Sequence, residues 1–166
     1  MSEAVKHATL FGMNEVLLRD VAKALVAEGK GILAADESTG TIKKRFDTIG
    51  VGSTEENHRI YRHLLFKTPG VEEFISGVIL YDETIRQKTD EGVSFAKYLS
   101  DKGIIPGIKV DKGAVDMVNF SGEKITEGLD GLRERLGEYR QLGAKFTKWR
   151  AVISIGDGLP AQAGIP

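Results

Sequence analysis

Short apolar runs alternating with helix-like segments constrain this chain more than any other feature. The first run covers residues 31–36 and leads through a turn rich in Ser38, Thr39, Gly40 and Thr41 into a helical stretch at 42–46. Ser53-Thr54-Glu55-Glu56 has the form of a capping box and opens a helix carrying Ile60 and Leu64 on one face, stopped by Thr68-Pro69-Gly70. Residues 78–83 read as a second strand, and 90–100 as a helix with Phe95 and Leu99 four apart. Gly103 is its expected C-cap and leads into a third strand at 104–111. Leu129, Leu132, Leu136, Tyr139 and Leu142 mark a further helix ending at Gly143, and 146–155 form the fourth strand. Strands separated by helices imply right-handed βαβ units and a parallel sheet.

The spacing of these units decides how large the parent architecture is. Strand starts near Ile32, Val78, Ile104 and Phe146 lie about 38 residues apart on average, so eight units would need roughly 300 residues, within the range of a (β/α)8 TIM barrel. Four units make a half barrel, and residues 1–166 read as a single partial α/β domain. An open doubly wound sheet of four strands fits the same count. Its first turn should carry G-x-G-x-x-G, however, and Asp36-Glu37-Ser38-Thr39-Gly40 stands there instead. Leu17, Val21 and Leu25 recur at helical spacing, so residues 1–30 are expected to place a helix on the outside of the domain.

Charge and residue usage exclude several kinds of chemistry. Lys plus Arg number 23 against 24 Asp plus Glu, and a formal charge of −1 gives no support to a nucleic-acid or membrane partner. Without cysteine there is no disulfide, zinc thiolate or cysteine nucleophile, and three histidines (His7, His58, His63) are too few for a multi-histidine metal site. No metal or other cofactor is expected. The first thirty residues lack the apolar core of a signal peptide, and Glu3, Glu15 and Asp20 argue against a mitochondrial presequence, so a cytoplasmic protein is expected.

Two strands carry cations where an apolar lining would be ordinary. Alternation puts Phe146, Lys148, Arg150 and Val152 on one side of the fourth strand and Thr147, Trp149, Ala151 and Ile153 on the other. The cationic side is either the wet face of a one-sided sheet or an anion site. In the third strand, Ile104, Pro106, Ile108 and Val110 form one face, and Ile105, Gly107, Lys109 and Asp111 the other. A lysine in such a run snorkels, pairs with a carboxylate or serves chemistry in a cleft. Asp111, two residues on, is a partner for Lys109 under any of these readings.

Four segments together resemble one family: GKGILAADESTGTIKKRF from Gly29, GVILYDETIRQKTDEG from Gly77, GIKVDKG from Gly107 and FTKWRAVISIG from Phe146. They are similar in order and content to class I fructose-bisphosphate aldolase, the metal-free, Schiff-base-forming lyase of glycolysis and gluconeogenesis. Its members are (β/α)8 barrels about twice this length. The resemblance implies cleavage of fructose 1,6-bisphosphate to glycerone phosphate and glyceraldehyde 3-phosphate. It assigns Asp36 to orienting substrate hydroxyls and handling protons, and Lys148 to contacting substrate and assisting the imine chemistry. Arg150 becomes the supporting cation of Lys148, Lys109 a phosphate-binding lysine, and Ser38 and Thr41 the hydroxyls beside it; Arg45 and Arg59 are read either as auxiliary phosphate contacts or as helix-surface charges. The family's imine lysine, its glutamate acid/base and its second phosphate site lie on later strands and match nothing in these 166 residues. The chain alone is therefore expected to be inactive, and to act as a homo-oligomer or with a complementing C-terminal half.

The alternatives are a non-catalytic half barrel that binds phosphosugars or self-associates, and a fragment without function. The chain also departs from the family in two places. His58 stands where the family commonly has the first of two arginines, with Arg59 as the second, and from about Ala161 the ending is unfamiliar.

Overall fold

The computed structural model describes residues 17–162, beginning within helix α1 (17–25). Strands β1 (Gly31–Ala35), β2 (Ile75–Leu80) and β3 (Ile105–Lys109) pair in parallel, an antiparallel hairpin of β4 (Gly113–Asp116) and β5 (Lys124–Glu127) follows, and β6 (Phe146–Lys148) returns to pair parallel with β3. The sheet order is β1-β2-β3-β6. Helices α2 (Thr39–Asp47), α3 (Glu55–Phe66), α4 (Val71–Phe74), α5 (Asp82–Arg86), α6 (Phe95–Asp101) and α7 (Leu132–Gln141) fill the connections. This is the alternating parallel α/β plan expected of part of a TIM barrel. Residues 1–16 of the expected N-terminal helix region, and 163–166, lie outside the described residues.

Register sorts the side chains into two faces. Ala35, Leu80 and Ile108 are mutual partners across β1, β2 and β3, each 0% exposed, and with Val78 they face the helices. Phe66, Phe95 and Leu99 close this core from α3 and α6, with the rings of Phe66 and Phe95 meeting edge-on at 5.2 Å. Each such buried side chain contributes roughly 1.5–3 kcal/mol. The opposite face carries Ala34, Ile79, Gly107 and Phe146 in one row, and Ile32, Gly77 and Ile105 in the row below. Ile32 is 43% exposed there, as expected of a barrel lumen without its other wall. Phe146 lies across Gly107, filling the space a Cβ would need, and Leu25 of α1 does the same at Gly77.

Several element boundaries differ from the sequence expectation, each for a visible reason. The fourth strand ends at Lys148, not at 155. Beyond Lys148 the backbone is captured by side chains: the Arg150 N–H donates to Asp111 Oδ2 at 3.1 Å, and the Arg150 carbonyl accepts from Thr126 Oγ1 at 2.8 Å. The second strand starts at Ile75, and Asp82 and Glu83 open α5, where acidic side chains suit the positive end of the helix.

Ile60 and Leu64, which share one face of α3, are 51% and 59% exposed, and His58, Arg62, His63 and Phe66 are the buried residues. Arg62 turns inward because the C-terminal end of β1 offers acceptors: its Nε donates to the Ala35 carbonyl at 2.7 Å and its Nη2 to the Glu37 carbonyl at 3.0 Å. Burial pushes the guanidinium pKa down, with the Glu37 carboxylate 3.0 Å away as the main opposing influence. Among the described residues no helix is long and apolar enough to cross a membrane.

Candidate active site at the strand ends

The C-terminal ends of all four parallel strands deliver polar groups to one end of the open face. Asp36 follows β1 and is 6% exposed, while Lys148 closes β6; Lys148 Nζ lies 2.5 Å from Asp36 Oδ2. Lys109, the register partner of Lys148, ends β3 and pairs with Asp111 Oδ1 at 2.5 Å while also donating to the Asp111 carbonyl at 2.7 Å. The strand alternation therefore holds for Lys148 and Lys109. Trp149 points the other way and packs against the helix-side core.

A cavity of about 590 Å³ opens beside these pairs. Ser38, Thr41, Lys109 and Arg150 all line it, as does Asp111. The hydroxyls of Ser38 and Thr41 are 3.1 Å apart at the start of α2. Arg150 is exposed, and among the described residues no side chain bonds its guanidinium, so it is available to an incoming anion. Asp36 and Lys148 do not line this cavity; they form the adjoining pair on the open face. Arg45 lies elsewhere, its Nη1 2.5 Å from Glu37 Oε1 and 3.2 Å from the Tyr61 hydroxyl. Arg59 is held by Glu56 and Asp90.

The far wall of the cavity was not foreseen from sequence. Asp82, Arg86, Glu138 and Tyr139 form a network there, with Tyr139 donating to Asp82 Oδ1 at 2.9 Å and Arg86 bridging Asp82 at 2.8 Å and Glu138 at 2.5 Å. Arg135 donates to the carbonyls of Val110 and Gly128, tying α7 to the segments that leave β3 and β5. Lys112 is a further cation on the rim. Sequence signals existed for Tyr139, as a helix-face aromatic, and for Asp82 and Arg86, four apart in α5; the pairings of Arg86 with Glu138 and of Tyr139 with Asp82 span 52 and 57 positions and have no local signature.

Electrostatics keep these carboxylates ionised. Burial alone would raise Asp111, but Lys109, the Arg150 N–H and the Gly113 N–H hold it below the ordinary carboxylate range. Asp82 is likewise drawn up by burial, yet Arg86 and Tyr139 carry it below its usual value. Tyr139 itself is raised, first by burial and then by its bond to Asp82. Cations clustered on hydroxyl-bearing loops at a barrel mouth make an arrangement suited to a phosphate ester.

Comparison with known proteins places the chain in a family. The model of the family "Glycolytic: Fructose-bisphosphate aldolase class-I" matches residues 17–166. The chain belongs to that aldolase family. It is 62% identical over 144 residues to a probable class 1 fructose-bisphosphate aldolase of Xanthomonas campestris pv. campestris, covering 87% of this chain and 43% of the relative. It is 52% identical over 149 residues to the aldolase C-B of Danio rerio, covering 89% of this chain and 41% of the other. Among solved structures it resembles the Plasmodium falciparum aldolase crystallised with TRAP and a small-molecule inhibitor. The TM-score there is 0.86 at 53% identity, over 90% of this chain and 44% of that one. The chain thus spans less than half the length of these aldolases, and the four-stranded sheet is the matching part of their barrel.

Proposed function

We propose that this chain supplies the first substrate-binding wall of a class I fructose-bisphosphate aldolase active site. The reaction is reversible cleavage of fructose 1,6-bisphosphate to glycerone phosphate and glyceraldehyde 3-phosphate. Carrying the reading is the placement of Lys109 and Arg150 on one cavity with the Ser38 and Thr41 hydroxyls, next to the Lys148–Asp36 pair. Lys109, Arg150 and the two hydroxyls hold one phosphate. Asp36 accepts from substrate hydroxyls and passes protons, and Lys148, already bonded to it, assists the imine chemistry as a cation. Arg45, engaged by Glu37, reaches substrate only by exchanging that partner.

The imine nucleophile belongs to a later strand of the family's barrel, so catalysis is metal-independent and requires the complementing half or its equivalent. The setting is the cytoplasm, and the open face and strand edges favour a second copy or the complementing half as partner. The test is phosphate titration of the chain. Binding should be weak and salt-sensitive, and Lys109→Ala should weaken it about tenfold, since an exposed single charge-assisted contact is worth on the order of 1.5 kcal/mol. Unchanged affinity in Lys109→Ala would remove the phosphate assignment. Supplying the remaining barrel strands in trans should restore cleavage that persists in excess chelator, whereas abolition by chelator would exclude the metal-free chemistry.

A further inference from the structure

The loop that opens α3 assembles a second reactive group, away from the cation cavity. The expected capping box assigns Ser53 to the helix start, but Thr54 takes that role, its Oγ1 accepting from the Asn57 N–H at 3.2 Å. The Ser53 hydroxyl is thereby free for His58, with Oγ 2.8 Å from Nε2. The other ring nitrogen, Nδ1, lies 2.9 Å from Glu83 Oε1. Glu83 comes from α5, so the set is joined by tertiary packing rather than by one loop. His58 is 2% exposed, its ring tilted against Phe46 at 5.7 Å.

Donor rules fix the hydrogens along this line. A carboxylate only accepts, so Nδ1 is the donor to Glu83, and in the neutral form of the ring Nε2 presents its lone pair. The Ser53 hydroxyl then donates to Nε2. Packing against Phe46 and the bond to Glu83 hold the ring in this orientation. Ser53 is half-buried between exposed Gly52 and Thr54, so a small solute can reach it. The positive end of α3 follows immediately and favours negative charge building on Oγ.

We propose that Ser53 is an activated nucleophile that takes acyl groups from activated carboxylic esters, with His58 as its base and Glu83 as the residue that orients the base. In the step, a bond forms between Ser53 Oγ and the carbonyl carbon as the bond from that carbon to the leaving oxygen breaks. The hydroxyl proton moves to His58 Nε2 and then to the leaving oxygen, while Glu83 stays ionised beside the imidazolium. No oxidant or metal takes part.

The full 166-residue chain is treated with p-nitrophenyl acetate and, separately, with a fluorophosphonate; released p-nitrophenol and the adduct site by peptide mass spectrometry are the readouts. Ser53 should be modified at least tenfold faster than Ser94 or Ser100 in the same sample. His58→Gln should slow this by roughly a hundredfold and Glu83→Gln, which keeps the side-chain shape, by about tenfold. Modification of Ser53 no faster than of Ser94 and Ser100 overturns the proposal, and because those serines are internal to the unaltered chain, the result does not depend on whether a variant folds. An adduct at Ser53 that persists at full rate in folded Glu83→Gln overturns the role of Glu83.

Discussion

Lys148 Nζ and Asp36 Oδ2 meet at 2.5 Å although their strands, β6 and β1, are the two outer members of the four-stranded sheet. Three interstrand spacings of ~4.8 Å would put those strands about 14 Å apart in a flat sheet, further than the two side chains and their hydrogen bond span. The sheet must therefore curl toward its open face, and the ion pair is a direct sign of barrel curvature. It also closes the end of that face with one cation and one carboxylate, 112 positions apart in the chain.

Removing Lys148 should cost stability because it strands a nearly buried carboxylate. Lys148→Ala is expected to lower the unfolding free energy by on the order of 1–3 kcal/mol, and Asp36→Asn in that background should recover part of the loss. Urea unfolding of the two variants checks it. Equal stability of Lys148→Ala and the unaltered chain would mean that the pair exchanges freely with water.

Gly107 has no room for a side chain, because a Cβ there would overlap the Phe146 ring. Gly107→Ala should destabilise by about 1–3 kcal/mol through overpacking, and Phe146→Leu should relieve most of it. Thermal melts of the single and double variants supply the comparison. A double variant no more stable than Gly107→Ala alone would place the ring elsewhere.

Acid should weaken the wall of the cavity in a defined direction. Asp82 and Asp111 both sit below their ordinary values in the folded chain. Their stabilisation is thus full above about pH 4, the unfolded aspartate value, and is lost as pH falls through the lower folded values. Exposed carboxylates such as Glu56 move the same way but are screened by water. Asp111→Asn should flatten the loss of stability between pH 4 and lower pH, as read from urea midpoints; an unchanged slope would assign the acid response to other groups.

The chain alone should show no aldol cleavage above background, and no adduct when borohydride is added with glycerone phosphate. The family's imine lysine lies on a later strand, and Lys109 and Lys148 are each engaged by a carboxylate at 2.5 Å. Intact-mass spectrometry decides this, and a substrate adduct on either lysine would make the chain a catalyst by itself.

Edges at β1 and β6 that are open among the described residues, with Ile32 exposed on the open face, should drive self-association. Light scattering should show species larger than the monomer, and a monomer with a sharp, high-temperature melt would contradict this.

Alternation along the sequence by itself determined the parallel α/β plan and the side on which Lys109 and Lys148 emerge, because strand and helix periods are local properties of the chain. The same periods do not say which face of α3 packs, since Ile60 and Leu64 repeat at helical spacing while Arg62 is the residue buried. What decides that face is a distant carbonyl, Ala35, offering Arg62 an acceptor. The length of β6, the pairing of Lys148 with Asp36, the diversion of Arg45 to Glu37 and the assembly of Ser53, His58 and Glu83 were likewise settled only by tertiary structure. Each depends on hydrogen-bond partners brought together from separate elements, and no local period records which carboxylate a cation will meet.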